Sequence, residues 1–175
     1  KFHWVDLSHP SPEELQSITR EYGLHPVMVQ DTMEPAHLPK FEKTNDITFA
    51  ILRVYDVDAL NKADSVPSLT RKIALFIGPD FVISIHRMDP SRFQDLIGRC
   101  LSDFSPNEEP SVSILLVKLL NRAYSTYQIP IERAEQDLDT FELELFEKDA
   151  NLKILSKIHV IKRRLSLIKR ILLHS

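Results

Sequence analysis

This 175-residue chain has one cysteine, three glycines and no long apolar run. Each shortage excludes something. With Cys100 alone, no internal disulfide forms and no cysteine-based zinc cluster is possible within one chain. Cys100 sits in the apolar pattern Phe93, Leu96, Ile97, Leu101, which reads as a buried helix position rather than a reactive thiol. Glycines at 23, 78 and 98 are too few for a Walker loop or a dinucleotide fingerprint, and no Gly-x-Ser-x-Gly nucleophile motif occurs. The longest apolar stretch, residues 73–85, is interrupted by Gly78-Pro79-Asp80 and is too short to span a bilayer. The first residues carry no signal-peptide pattern. A net charge of -3 gives no overall attraction to nucleic acid or to an anionic membrane.

What is present is an ordinary globular composition, 43% hydrophobic and 27% charged. The length suits one domain, burying about 70% of its unfolded surface. Residues 2–7 alternate and predict a short strand. Ser11, Pro12, Glu13 and Glu14 start a helix that covers Leu15, Ile18 and Tyr22 and stops at Gly23. His25-Pro26 opens a second short helix over 27–33, and Pro35 and Pro39 mark a loop. Residues 46–57 are β-branched and aromatic and predict a strand. Residues 58–68 read as a polar loop, and 69–77 and 81–86 as a hairpin turning at Gly78-Pro79-Asp80. Asp89-Pro90-Ser91 starts a helix to about residue 104. The expected fold is α/β: a small, mixed or antiparallel sheet of four strands with helices before and after its strands, followed by a long helical hairpin. No repeat or low-complexity segment interrupts it.

That hairpin occupies residues 112–175. Leu116, Leu120, Ala123, Tyr127, Ile131, Ala134, Leu138, Phe141 and Leu145 form one stripe of a long helix, which Pro130 is expected to bend. Leu155, Ile158, Ile161, Leu165, Ile168 and Leu172 form a second stripe. The polar break 147–151, with Asp149 or Asn151 as cap, sends the second helix back antiparallel. The first helix is acidic towards its end and the second basic. Antiparallel packing would place Glu142 near Lys157 and Glu135 near Arg164, so that the charges neutralise one another across the hairpin. The competing reading is an acidic collar of hard oxygen ligands that concentrates hydrated Mg2+. The chain opens at Lys1 without Met, and its last helix is still running at Leu172-Leu173. It is therefore expected to be one part, 1–175, of a longer protein, divided at about residue 111 into an α/β part and the hairpin.

Seven histidines are scattered. His86 and Asp89 are close enough in sequence to share a metal, but a strand end followed by a helix cap is the preferred reading.

The run Tyr22-Gly23-Leu24-His25-Pro26-Val27-Met28-Val29-Gln30-Asp31, followed by Leu38-Pro39-Lys40-Phe41-Glu42, resembles the CorA family of magnesium transporters. Trp4-Val5-Asp6-Leu7, residues 49–53, residues 73–86 and the paired helices extend the resemblance over nearly the whole chain. The resemblance implies a non-enzymatic, αβα-layered cytoplasmic domain of a pentameric inner-membrane transporter, whose stalk and two transmembrane helices lie outside this sequence. It implies a sensor in which carboxylates of neighbouring subunits share Mg2+; Co2+, Ni2+ or Zn2+ are the other transported ions found in the family. Asp31 matches the sensor aspartate, and Glu34 is a further candidate. Gln30 and Asn121 stand where the family has acids. The alternative reading is a soluble interaction module that packs its hairpin against a partner helix. A third, a hydrolase using His86 and Asp89, has the least support.

Overall fold

A computed structural model describes residues 2–59, 63–102, 111–146 and 152–174. The elements are β1 (His3–Ser8), α1 (Pro12–Tyr22), α2 (Pro26–Met33), β2 (Lys40–Thr44), β3 (Ile47–Tyr55), α3 (Val66–Leu69), β4 (Thr70–Ile77), β5 (Phe81–His86), α4 (Pro90–Ser102), α5 (Val112–Ser125), α6 (Gln128–Phe146) and α7 (Leu152–Leu173).

The strands form one sheet in the order β1-β5-β4-β3-β2. β1 runs parallel to β5, and every other pairing is antiparallel. Alternation along the strands gives the sheet two buried faces. On one face Ala50, Leu52, Val54, Ile73, Leu75 and Val82 pack with Phe93 and Cys100 of α4 and with Leu115, Leu119 and Ala123 of α5. On the other, Phe49, Ile51, Ala74, Phe76, Ile83 and Ile85 pack with Leu15 of α1 and with Leu24 and Met28. This is the αβα layering that the resemblance implies. Full burial of a side chain such as Phe49 or Phe76 contributes roughly 1.5–3 kcal/mol relative to exposure.

Local signals were accurate where they were strong. Ser11 and Glu14 form a reciprocal capping box at the start of α1, and Gly23 ends it at φ 62, in the left-handed region. Gly78 turns the β4–β5 hairpin, and a Cβ there would overlap the Phe81 ring.

Three expectations are corrected. The sheet has five strands rather than four, because β2 occupies residues read as leaving a loop. β2 is a polar edge strand whose single large apolar residue, Phe41, is 65% exposed, so it has no alternation to read. Its turn is carried by Asn45 in the left-handed region. The long helix is not continuous but divides ahead of Pro130 into α5 and α6. Pro130 falls in the first turn of α6, where its missing donor has no helical partner to lose. Finally, α6 and α7 do run antiparallel, with Lys157 over the Phe141 ring near the turn and Ile131 and Ile168 in one cluster at the far end. Yet among the described residues no α6 carboxylate pairs with an α7 cation. Arg164 instead donates to Tyr55 Oη at 2.5 Å, and Arg163 pairs with Asp64 at 3.2 Å. The apolar stripes hold the two helices together, and exposed ion pairs add too little, about 0–1 kcal/mol each, to dictate the rotamers. The expected capping break, 147–151, lies outside the described residues.

Candidate metal site at the end of the second helix

α2 is short, with Pro26 in its first turn and Met28 and Thr32 turned into the sheet. That face places Asp31 over β2, β3 and β4. Each of these strands sends one cation up towards it: Lys40, Arg53 and Lys72. The register puts Arg53 directly opposite Lys72, and Lys40 opposite Ile51, all on the α2 side of the sheet.

The three cations divide the work. Lys72 donates to the backbone oxygens of Asp31 at 2.8 Å and Glu34 at 2.6 Å. Arg53 donates to the carbonyls of His37, at 3.0 Å, and Pro35, and to Thr70 Oγ1 at 3.1 Å. Both therefore cap the electronegative end of α2 and the loop behind it. Their own charges are unfavourable there. Burial, reinforced by the neighbouring Arg53 charge, pushes Lys72 down to about 8. Burial likewise lowers Arg53 to about 10.

Lys40 alone binds the side chain. Its ammonium lies 2.7 Å from Asp31 Oδ2 and 3.0 Å from Glu42 Oε1. The Asp31 hydrogen bond is the main reason its affinity for a proton is raised. His37 Nε2 stands 3.6 Å from the same Asp31 oxygen. Asp31 is 19% exposed, so its carboxylate is a fixed oxygen donor at the rim of the fold. Glu34 is exposed and only loosely held, accepting from the Ala36 amide at 3.4 Å.

A carboxylate of this kind suits a hard cation such as Mg2+, which binds through one or two carboxylates and retains waters. One chain does not complete such a site. Among the described residues no three His, Cys, Asp or Glu side chains converge to hold a metal. Gln30 is exposed on the same helix. Asn121 is exposed on α5, which packs on the opposite face of the sheet, so the fold does not bring it to Asp31. Lys40, Arg53 and Lys72 were not singled out as site residues from the sequence. The available signal was basic residues within two largely apolar strands, Arg53 in Ile51-Leu52-Arg53-Val54 and the pair Arg71-Lys72 ahead of Ile73-Ala74.

His86 and Asp89 do not meet. His86 Nε2 faces Asp6 Oδ2 at 3.3 Å, and its Nδ1 accepts from the Met88 amide, which assigns the proton to Nε2. Asp6 also accepts from Ser84, which in turn accepts from Trp4 Nε1. The carboxylate sits between serine and histidine, so the imidazole has no access to the hydroxyl as a base. Asp89 caps α4 through the Ser91 amide. Strand end and helix cap are what the structure shows.

A model of the CorA-like Mg2+ transporter protein family matches residues 1–175. The cobalt/magnesium transport protein CorA of Thermotoga maritima is 19% identical over 165 residues, 93% of this chain and 45% of that protein. The complete CorA magnesium transporter of Methanocaldococcus jannaschii superposes with a TM-score of 0.71 at 19% identity, covering 98% of this chain and 52% of the other. The soluble domain of the same transporter gives 0.70 at 18% identity, covering 98% and 66%. The chain thus spans about half the length of the complete relatives it matches. Among the described residues no helix is long and apolar enough to cross a membrane. The family is one of ion transporters rather than enzymes. With its whole length matched by the family model and its layered sheet shared with two solved relatives, the chain belongs to the CorA-like Mg2+ transporter proteins.

Proposed function

We propose that this chain is the cytoplasmic regulatory part of a divalent cation transporter and controls ion passage by binding the cation that is carried. Mg2+ is the ion assigned, and Co2+, Ni2+ and Zn2+ are the alternatives. Residues 1–175 act as one unit, an α/β part to about residue 111 followed by the helical pair. The bilayer-spanning helices belong to sequence outside these residues, and the assembly is a homopentamer at the inner membrane.

The observation that carries this reading is the state of Asp31. It is an oxygen donor at the rim of the fold, with its backbone pinned by Lys72, and among the described residues it belongs to no group of three metal-ligating side chains. A second carboxylate from a neighbouring copy would complete the coordination together with retained waters. A dication shared in this way stabilises only the arrangement in which both carboxylates are close, so it shifts the population towards that arrangement. When the ion leaves, the carboxylates repel and the subunits are released to open the pore. Glu34 is the second candidate ligand. Gln30 and Asn121 bring no charge, so a second site of the same kind is not part of the proposal.

The test is a Mg2+ titration of the full-length protein read by protection from proteolysis, comparing wild type with Asp31→Ala. The proposal expects protection at lower Mg2+ in the wild type. Equal protection in both would remove Asp31 as the sensor ligand.

A further inference from the structure

We propose that Lys40 is a tethered competitor for the dication at Asp31, with Glu42 as the partner that retains it when the dication binds. The inference rests on the reading of Asp31 as a divalent ligand. It adds the element that sets the concentration at which the site fills.

The geometry is that of one cation between two carboxylates. Lys40 Nζ is 2.7 Å from Asp31 Oδ2 and 3.0 Å from Glu42 Oε1. Residues 40 and 42 alternate on β2 and so share its α2-facing side. The two acids differ in setting: Asp31 is 19% exposed and Glu42 is 45% exposed. The other two cations under α2 are engaged elsewhere, Lys72 with the Asp31 and Glu34 carbonyls and Arg53 with the loop carbonyls. They fix the backbone of the site without occupying its ligand atom. Lys40 occupies that atom.

A dication that takes Asp31 Oδ2 must therefore displace an ammonium. Two positive charges in contact with one carboxylate oxygen repel strongly. Lys40 need not leave as an orphan, because its bond to Glu42 is already formed. The exchange moves from Asp31–Lys40–Glu42 to a hydrated dication on Asp31 beside a Lys40–Glu42 pair. A flexible ammonium on the adjacent strand acts at a high effective concentration. The apparent affinity for the dication is the intrinsic one multiplied by the fraction of time that Asp31 is free of the lysine. The bare carboxylate would fill at lower Mg2+; the lysine raises the threshold. The same arrangement favours doubly over singly charged ions, since a monovalent ion gains no more at Asp31 than the ammonium it displaces.

The experiment measures the Mg2+ midpoint of the full-length protein by protease protection and by titration calorimetry, for wild type, Asp31→Ala, Lys40→Met and Lys40→Arg. Lys40→Met is expected to lower the midpoint roughly three- to thirtyfold, as Asp31 is released from its internal partner. Lys40→Arg, which retains the charge and adds a bidentate fork, is expected to hold or raise it. Glu42→Gln is expected to raise the midpoint in the wild-type background and to have a much smaller effect in Lys40→Met, because it acts through the lysine. If Asp31→Ala leaves the midpoint unchanged, the Asp31 reading falls and this inference with it. If Asp31→Ala raises the midpoint while Lys40→Met leaves it in place, Asp31 remains a ligand and the competitor role is overturned. Should Lys40→Met fail to fold, a lowered midpoint in Lys40→Arg overturns the inference, and a held or raised one supports it.

Discussion

Arg53 and Lys72 face each other directly across β3 and β4, two cations in register with their hydrogen bonds directed at backbone carbonyls of residues 31–37. Like charges in that position oppose strand pairing. The end of α2 and its following loop offset the repulsion by presenting carbonyl oxygens. The strands and α2 are thus held by the same few bonds, and the position of Asp31 depends on them.

Arg53 is 3% exposed, and its donors leave Pro35 O, His37 O and Thr70 Oγ1 without those partners when it is removed. Arg53→Met is expected to lower stability by about 2–4 kcal/mol, since one buried and two part-buried acceptors lose their donor at once. Arg53→Lys is expected to recover less than half of that, because a single ammonium cannot span three acceptors in the geometry of a guanidinium. Urea unfolding of the three proteins checks both outcomes.

Lys72 gives the stability a pH dependence of known sign. Its folded value is lowered to about 8 from the ordinary 10.5, with burial the main cause. Between these values the unfolded chain binds more protons at this position than the folded one, so stability rises with pH. Below about 8 the burial penalty on the charged amine is fully present; it is relieved as pH passes from about 8 to 10.5. The difference in stability between wild type and Lys72→Met is expected to move in favour of wild type over that window. A pH-independent difference in paired denaturation curves would contradict it.

Asp56, at the end of β3, has a side chain only 4% exposed and binds Arg71 at 2.6 Å and Arg92 at 3.2 Å. It therefore ties α4 to the sheet. Asp56→Asn keeps the shape but removes the carboxylate shared by Arg71 and Arg92, of which Arg92 keeps its pair with Asp58. Both are partly exposed, so solvent absorbs part of the cost, and a loss of about 1–3 kcal/mol is expected rather than the full penalty for breaking a buried pair. Thermal unfolding measures it.

Legibility in the sequence followed the range of the interaction. The caps of α1 were readable because Ser11, Glu14 and Gly23 act within one helix. The two-faced sheet was readable because Phe49, Ala50, Ile51 and Leu52 are apolar on both sides of the strand. β2 was not, since an edge strand of Lys-Phe-Glu-Lys-Thr is held by its pairing with β3 and by no burial pattern of its own. Asp31 is a candidate through a motif resemblance alone, and nothing in its local sequence distinguishes it. Its link to Lys40 crosses from α2 to β2 over nine residues, and its backbone bond to Lys72 spans forty-one, so neither follows the period of a single helix or strand.

The break between α5 and α6 separates two causes that the sequence presents together. Pro130 is the conspicuous residue, but it sits in the first turn of α6, where proline is tolerated. Tyr127 is 2% exposed, lies in the cluster with Val66, Ile168 and Ile171, and donates from its hydroxyl to Arg53 O at 3.0 Å. Burial raises the phenol well above its ordinary range, so it remains a donor at any working pH. Thr126 adds a bond from its hydroxyl to the Ala123 carbonyl and accepts from the Tyr55 amide. Thr126 is four residues before Pro130, where the proline ring would crowd the carbonyl of a continuous helix; the anchoring of the Tyr127 side chain and the Thr126 hydroxyl to β3 acts at the same place, and we expect it alone to hold the break. Pro130→Ala is therefore expected to change stability by no more than about 0.5 kcal/mol and to leave the break in place. Tyr127→Ala is expected to cost about 3–5 kcal/mol. Tyr127→Phe, which loses only the bond to Arg53 O, is expected to cost about 0.5–1.5 kcal/mol. Chemical denaturation gives the three values, and amide exchange across residues 124–132 reports whether the break persists. A continuous protected helix in Pro130→Ala would return the cause to the proline.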